Sequence, residues 1–351
     1  ATFFKFPTSA THVVIGATVG YGLVALKGQH IKWIQLAKIV GSWVLSPITA
    51  GLVAALICYI LDNWIVKKRI PRTSLIIVIF FYFFAIFIFL FSILFKYFSE
   101  FKGGKFIYFS VILSIFGSML FSTVILFPLI HFLKKRLKRL ELDKFRVIQE
   151  SKPSISYLPA QNQEGKVEIH DVQEFEGGYV ISCLLTILQI MTACNKSFAH
   201  GGNDISNSVA PLISIWLIYQ LGSLASFSKP NMYLIAFGAI GLAIGVIFWG
   251  KRVMETIGKN ITKITPVSGL SIELSSSTTV IGMTLLGLPI STTHCTVGST
   301  VAVGWLRHGF SSVDLKLLIS MGICWIVSIP IPALISASTF CICRALIFGI
   351  R

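Results

Sequence analysis

The uncharged segment Leu75–Phe95 is the feature that most constrains this chain. It consists mostly of Leu, Ile, Phe and Val, and about 20 consecutive apolar residues are enough for a helix to cross a bilayer. Similar runs recur along the sequence, and only 13% of the 351 residues are charged, against about 25% in soluble domains. A single soluble core is therefore excluded, and the sequence predicts an all-α polytopic membrane protein.

Some of the apolar segments are crowded with Gly, Ser, Thr, Pro and Asn, namely 7–25, 200–211 and 267–300. Such residues interrupt helices, and irregular backbone at membrane depth is tolerated only where it is buried in protein or lines a cavity. We therefore expect broken or re-entrant helices there. The candidate spans are 7–25, 36–60, 75–95, 106–130, 178–198, 205–221, 232–250, 267–286, 289–306 and 317–348.

The net charge of +16 comes from basic residues in short loops, which is typical of topology signals and not of a nucleic-acid surface. Basic clusters follow the second span, at 67–72, and the fourth span, within 131–177. Two spans separate these loops, so both face one side, which the positive-inside rule makes cytoplasmic. We interpret 131–177 as a partly disordered cytoplasmic linker.

The two ends of the chain resemble each other without a gap. The segment Pro7–Val19 aligns with Pro289–Val301, so that P-x-S-x-T-H occurs twice, and the same offset pairs Trp43 with Trp325. Duplicated halves with broken segments in matching positions are typical of secondary transporters, whose sites lie at the repeat interface. We expect residues 1–130 to hold the rest of a first repeat with connecting helices, and residues 178–351 to hold the second.

Asp204 and Glu273 are acids placed deep within apolar sequence, where an ionisable group costs at least about 2.5 kcal/mol and needs a partner. We expect a role in an ion pathway; the alternative is a structural ion pair, for which Lys196 is the basic residue in these segments. Gly201 and Gly202 precede Asp204 and are expected to break the helix and free backbone groups. Oxygen-bearing side chains, which suit a hard cation such as Na⁺, cluster here: Asn203, Asp204, Ser206 and Asn207. Helical spacing places Glu273 near further hydroxyls, those of Ser276 and Ser277.

The paired P-x-S-x-T-H motifs predict a different ligand. Proline followed by small hydroxyl residues favours a helix N-terminus, where free amide groups and the helix dipole attract anions. Hydroxyl donors come from both copies, at Ser9, Thr11, Ser291, Thr292 and Thr293. Two such termini from two repeats could hold a tetrahedral oxyanion, although Ser and Thr also serve as packing residues between membrane helices.

Histidines accompany these motifs, at His12, His200 and His294. We expect them to be hydrogen-bonded packing residues more often than ligands. A hydrolase that uses Ser291 or Cys295 with His294 is disfavoured, because adjacent residues on a helix point about 100° apart. The cysteines lie in apolar stretches without a C-x-x-C pair, so no disulfide or metal framework is expected.

The segment Ser197–Pro211 closely resembles the G-x-N-D-x-x-N signature of the inorganic phosphate transporter family. Its Ala-His-Gly-Gly-Asn-Asp form, which includes His200, Gly201 and Gly202, resembles the animal, sodium-coupled branch. Gly269–Leu274 and Gly287–Cys295 are similar to the family's second-half motif. The resemblance covers about 1–60 and 178–345.

This resemblance implies a multi-pass plasma-membrane symporter that moves phosphate with Na⁺ by alternating access between inverted repeats. It implies phosphate, Na⁺ and the bilayer as partners, with no cofactor and no nucleic acid, and leaves a homo-oligomer open. Sodium would be held by Asn203, Asp204 and Glu273. Phosphate would be held by Ser9, Thr11, Asn207, Ser291, Thr292 and Thr293.

Two features depart from the family pattern. The family carries G-x-N-D-x-x-N in each half and this chain has the second, so we expect an upstream segment with the first. Ala10 and Val13 also stand where the second copy has Thr292 and Cys295. Coupling to H⁺, another oxyanion such as sulfate, and a truncated receptor or scaffold without transport remain alternatives.

Overall fold

The computed structural model describes residues 8–29, 31–67, 71–99, 106–150, 178–222, 232–260 and 264–349. Within these ranges all the regular structure is helical. Six of the described helical segments are long and apolar enough to cross a membrane, and Ala10–Ala25 is a shorter apolar helix. The prediction of an all-α polytopic membrane protein is confirmed.

Among the described residues, three π-helical segments, at Asp62–Lys67, Ser122–Leu126 and Val246–Gly250, continue or join the α-helices. The α-helices are α1 Ala10–Ala25, α2 Trp33–Leu61, α3 Pro71–Ser99, α4 Phe106–Phe121, α5 Phe127–Glu150, α6 Gly178–Leu221, α7 Met232–Gly245, α8 Lys251–Asn260, α9 Pro266–Leu285, α10 Thr292–His308, α11 Leu315–Val327 and α12 Pro330–Phe348.

The chain divides into two compact units, of which the second is Leu61–Leu188. Here α3 packs along α4. Three serines spaced four residues apart on α4, Ser110, Ser114 and Ser118, are fully buried. Small side chains in such a stripe let two membrane helices approach closely. The Tyr82 hydroxyl donates to the Leu184 carbonyl at 2.8 Å, which ties α3 to the start of α6.

The first unit, Ala1–Ile60 with Gln189–Arg351, contains the predicted site residues. Its centre is the helical hairpin α9–α10, in which the Ser275 hydroxyl donates to the Ser299 hydroxyl at 2.9 Å. Thr265 and Ser268 form a reciprocal capping box at the start of α9. Gly287, in the turn between the two helices, has a φ of +70° that suits glycine.

The repeat seen in the sequence is also present in the helices. The offset that pairs His12 with His294 places Ala10 on Thr292 and Trp33 on Leu315, which are the first residues of α1 and α10, and of α2 and α11. The copies differ further on, since α2 is continuous through Pro47 while the second copy breaks at Ser328 and Ile329, ahead of Pro330. The inversion of the repeats across the membrane stays a prediction.

The predicted break at Gly201 and Gly202 is wrong, because α6 is continuous from Gly178 to Leu221 and neither glycine has a positive φ. A glycine costs a helix only about 1 kcal/mol, whereas an opened helix within a bilayer leaves several backbone groups unsatisfied. Hydroxyls also support this stretch: Ser206 donates to the Gly202 carbonyl at 2.8 Å and Ser208 to the Asp204 carbonyl at 2.9 Å.

The predicted linker begins as a helix, since α5 extends to Glu150. Residues 151–177, and residues 68–70 of the first basic loop, lie outside the described residues. The cytoplasmic position of both loops stays a prediction. The division at 130 and 178 also stays a prediction, because the compact units follow packing and not the order of the repeats.

Candidate functional site

Both P-x-S-x-T-H motifs start a helix, as the sequence predicts. The Ser9 hydroxyl caps α1 by accepting a hydrogen bond from the His12 amide at 3.4 Å. The Ser291 hydroxyl caps α10 by accepting from the His294 amide at 3.3 Å. In each helix the first two amide groups have no intrahelical acceptor. These buried N-termini can therefore attract an anion.

Two threonines connect the N-terminus of each of these helices to the residues that precede the other helix. The Thr11 hydroxyl donates to the Ile290 carbonyl at 3.0 Å, and the Thr293 hydroxyl donates to the Thr8 carbonyl at 3.2 Å. Thr11 and Thr293 are equivalent in the repeat, as are Thr8 and Ile290. These two bonds hold the N-termini of α1 and α10 next to each other, so both predicted phosphate hydroxyls have a positioning role here.

The motif histidines form a second exchanged pair of bonds. His12 Nδ1 donates to the Trp325 carbonyl at 3.0 Å, and His294 Nδ1 donates to the Trp43 carbonyl at 2.9 Å. Each imidazole also lies on the tryptophan of its own copy, with ring centroids 3.8 Å and 3.9 Å apart. The two imidazoles meet edge to face at 4.8 Å. Both histidines therefore pack and hydrogen-bond at the repeat interface.

Two glycines complete the exchange through close backbone contacts. Gly16 lies against the Ile329 carbonyl, and its equivalent Gly298 lies against the Pro47 carbonyl. Pro47 and Ile329 are themselves equivalent in the repeat. Contacts in which residue i meets j, while the counterpart of j meets the counterpart of i, are the mark of two-fold symmetry. The reciprocal contacts between the two copies are those that an internal pseudo-two-fold axis between His12 and His294 would produce.

Helix α6 contributes the acid and amide that the sequence singled out. The Asn207 side-chain amide donates to the Thr11 hydroxyl oxygen at 3.1 Å. The Thr292 hydroxyl donates to an Asp204 carboxylate oxygen at 3.2 Å. Both N-termini thus meet the same face of α6. Asn203 lies next to Asp204, with its amide nitrogen buried.

A polar seam continues from this point between α6, α9 and α10. His200 Nε2 lies 3.1 Å from the Ser276 hydroxyl, which lies 3.3 Å from the Thr296 hydroxyl. Thr296 in turn donates to the Thr292 carbonyl at 3.1 Å. The seam therefore connects His200, through hydroxyl groups, to the first turn of α10.

Glu273 does not share the position of Asp204. Its carboxylate accepts from the Thr192 hydroxyl at 2.9 Å, and Thr192 lies three turns before Asp204, about 18 Å along the axis of α6. Of the hydroxyls predicted beside Glu273, Ser276 contacts His200 and Ser277 donates to the Leu274 carbonyl. Asp204 and Thr192, the residue that binds Glu273, thus lie at different levels of one polar face of α6.

Several residues of this site were not identified from the sequence. Thr192 lies in a mostly apolar stretch and Thr296 in a run rich in hydroxyl residues, and the side chain that each contacts belongs to another helix. Trp43 and Trp325 were recognised as repeat positions, but the use of their carbonyls depends on the exchanged packing of the two copies. The constant offset between the two copies is the sequence signal that points to the two tryptophans.

The fold and the site define a class of protein. It is a multi-pass helical membrane protein in which two copies of one helical unit meet through paired helix N-termini, an architecture shared by secondary transporters. The chain belongs to the phosphate transporter family, which matches residues 1–336.

Individual relatives agree with this family. A segment of 158 residues, 45% of this chain, is 49% identical to sodium-dependent phosphate transporter 1-B of Danio rerio. A segment of 167 residues, 48% of this chain, is 47% identical to sodium-dependent phosphate transporter 1 of Homo sapiens. Each match covers 24% of the relative, so the chain matches about a quarter of their length.

A solved structure extends the similarity to the whole fold. It is titled "The sodium-dependent phosphate transporter" and matches with a TM-score of 0.76 and 28% sequence identity. The match covers 99% of this chain and 76% of the other.

Proposed function

We propose that this chain forms the substrate-binding core of a sodium-coupled inorganic phosphate symporter. The observation that carries the proposal is the hydrogen bond between Thr292, in the first turn of α10, and the Asp204 carboxylate. It places an acid at the mouth of an anion-attracting helix N-terminus. Family membership and the names of the relatives support phosphate as the anion.

The anion would bind at the paired N-termini of α1 and α10. Each supplies unpaired amide groups and a favourable helix dipole, which suit a tetrahedral oxyanion. Asn207 lies within reach, because its amide already contacts Thr11. Ser9, Ser291 and Thr293 would act chiefly by fixing the two N-termini in place.

The cation would bind at Asp204. Two negative charges a few ångströms apart repel each other strongly in surroundings of low dielectric constant, so phosphate and the Asp204 carboxylate need a positive charge between them. Na⁺ prefers hard oxygen ligands, and Asn203 and Asp204 provide them. Phosphate would then bind well only after Na⁺, which is the thermodynamic basis of coupling.

Transport requires the site to open alternately to the two sides of the membrane. The pseudo-two-fold relation between the copies supports this, because two repeats that meet at one site can exchange conformations by rocking against each other. The plasma membrane as the location, and cytoplasmic positions for 67–72 and 131–177, form part of this proposal.

Uptake of radiolabelled phosphate tests the proposal. The protein is expressed from its complete coding sequence, and uptake is measured in sodium medium, in choline medium, and in choline medium with an imposed proton gradient. Uptake that requires sodium and is not displaced by sulfate is the expected result. Uptake driven by a proton gradient in choline medium would show that the coupling ion is H⁺ and not Na⁺. Displacement of phosphate by sulfate would show that the site takes other oxyanions. No uptake in cells that carry the protein at their surface would favour a receptor or scaffold.

A further inference from the structure

One charged residue on the polar face of α6 has no role in the site as described so far. Thr192, Lys196, His200 and Asp204 follow one another at intervals of four residues and share one side of the helix. Three of them contact α9 or α10 directly. Lys196 lies between Thr192 and His200 and is half-buried.

The neighbours of Lys196 fix where its side chain can lie. One turn before it, Thr192 contacts Glu273, and one turn after it, His200 contacts Ser276. Glu273 and Ser276 are adjacent turns of α9, so Lys196 faces the α9 surface between these two contacts. The Glu273 carboxylate, which accepts a hydrogen bond from Thr192 one turn before Lys196, lies on this α9 surface.

We propose that the Lys196 ammonium group is a tethered cation that occupies the place of a sodium ion at Glu273. The inference rests on the proposed symport function. An ammonium group carries the same charge as Na⁺ and offers three donors to a carboxylate. An ionised carboxylate at membrane depth is stabilised by a positive partner. Lys196, one turn after the Thr192 that binds Glu273, supplies a positive charge that cannot dissociate.

This assignment separates the two membrane acids by role. Asp204, about two turns after Lys196 on α6, keeps a site that exchangeable Na⁺ can fill. The charge of Glu273 is instead neutralised by Lys196. Phosphate binding in this protein would therefore depend on fewer sodium ions than binding in a variant with a neutral residue at 196. Lys196 thus determines ion stoichiometry.

The test is the sodium dependence of phosphate uptake by wild-type protein and by Lys196→Met. Loss of the tethered charge should make the sodium curve steeper and shift its midpoint to higher sodium by several-fold, because one more ion must bind at Glu273. Raising sodium should restore most of the uptake. Lys316→Met, which removes an exposed lysine at the start of α11, serves as the matched control and should leave the curve unchanged.

The outcomes separate this inference from the proposed function. If wild-type protein takes up no phosphate, the proposed function fails and the inference with it. If wild-type uptake depends on sodium and the Lys196→Met curve superimposes on it, Lys196 is not a substitute cation and only the inference is overturned.

A second variant covers the case in which Lys196→Met does not reach the membrane. The double variant Lys196→Met/Glu273→Gln removes both charges, and a neutral pair does not need the cation. Recovery of surface protein in the double variant supports the pairing of Lys196 with Glu273. Continued absence, with Glu273→Gln alone present at the surface, contradicts it.

Discussion

The two copies of the repeat, α1–α2 and α10–α12, share their scaffold and differ in their chemistry. Both begin with a serine cap, both exchange threonine and histidine bonds, and both place a glycine against the backbone of the other. The position before the exchanged threonine differs: Thr292 in α10 contacts Asp204, whereas its equivalent Ala10 has no hydroxyl. The duplication thus preserves what positions the N-termini, and one copy carries the contact to the acid.

The largest effect is expected where the copies touch through backbone. A Cβ at Gly16 or Gly298 would collide with a backbone carbonyl that has no freedom to move aside. Gly16→Ala and Gly298→Ala should each destabilise the protein by up to about 3 kcal/mol through overpacking. Thermal unfolding in detergent measures this.

Because Gly16 and Gly298 are equivalent in the repeat, we expect the two variants to lose similar amounts of stability. Gly282→Ala is the control, because Gly282 is helical and has open space around it, and a gain of up to about 1 kcal/mol is expected there. A harmless Gly16→Ala beside a damaging Gly298→Ala would show that the exchanged contacts are not equivalent.

A smaller effect is expected at the position where the copies differ. Thr292→Ala makes the second copy like the first and removes a hydrogen bond to a charged group, worth about 1.5–3 kcal/mol. We expect the Michaelis constant for sodium to rise by about tenfold or more, since about 1.4 kcal/mol is a factor of ten in affinity. Sodium titrations of phosphate uptake measure it, and Thr293→Ala should instead lower the stability of the fold.

The smallest of these effects is expected at the histidines. His12→Phe and His294→Phe keep a ring between the tryptophans and lose the bond from Nδ1, at a cost of about 1 kcal/mol each. Because the two imidazoles are in contact, the double variant should deviate from additivity. Unfolding temperatures of the four proteins give the coupling directly, and strict additivity would indicate independent packing.

Local chemistry was readable from the sequence, and long-range contacts were not. Ser9 and Ser291 predicted helix starts because a cap depends on a few neighbouring residues. Gly201 and Gly202 misled, because their weak helix propensity is outweighed by the demand of a bilayer for satisfied backbone groups. The Thr192–Glu273 bond could not be foreseen, since it depends on how α6 packs on α9.

The repeat lies between these extremes. A constant offset identified the pairs His12 with His294 and Trp43 with Trp325, although not that each histidine bonds to the tryptophan of the other copy. Such an exchange requires a two-fold arrangement of the two copies, which the similarity of their sequences alone does not specify.

The measurement that tests the central claim most directly is sodium-stimulated phosphate uptake by Asp204→Asn beside Asp314→Asn. Asp314 caps α11, where asparagine is an equally good cap, so this control should transport normally. Loss of the carboxylate at the α10 N-terminus should abolish sodium stimulation in Asp204→Asn while surface protein is unchanged. Sodium-stimulated uptake that survives in Asp204→Asn would contradict the role of this acid as the coupling site.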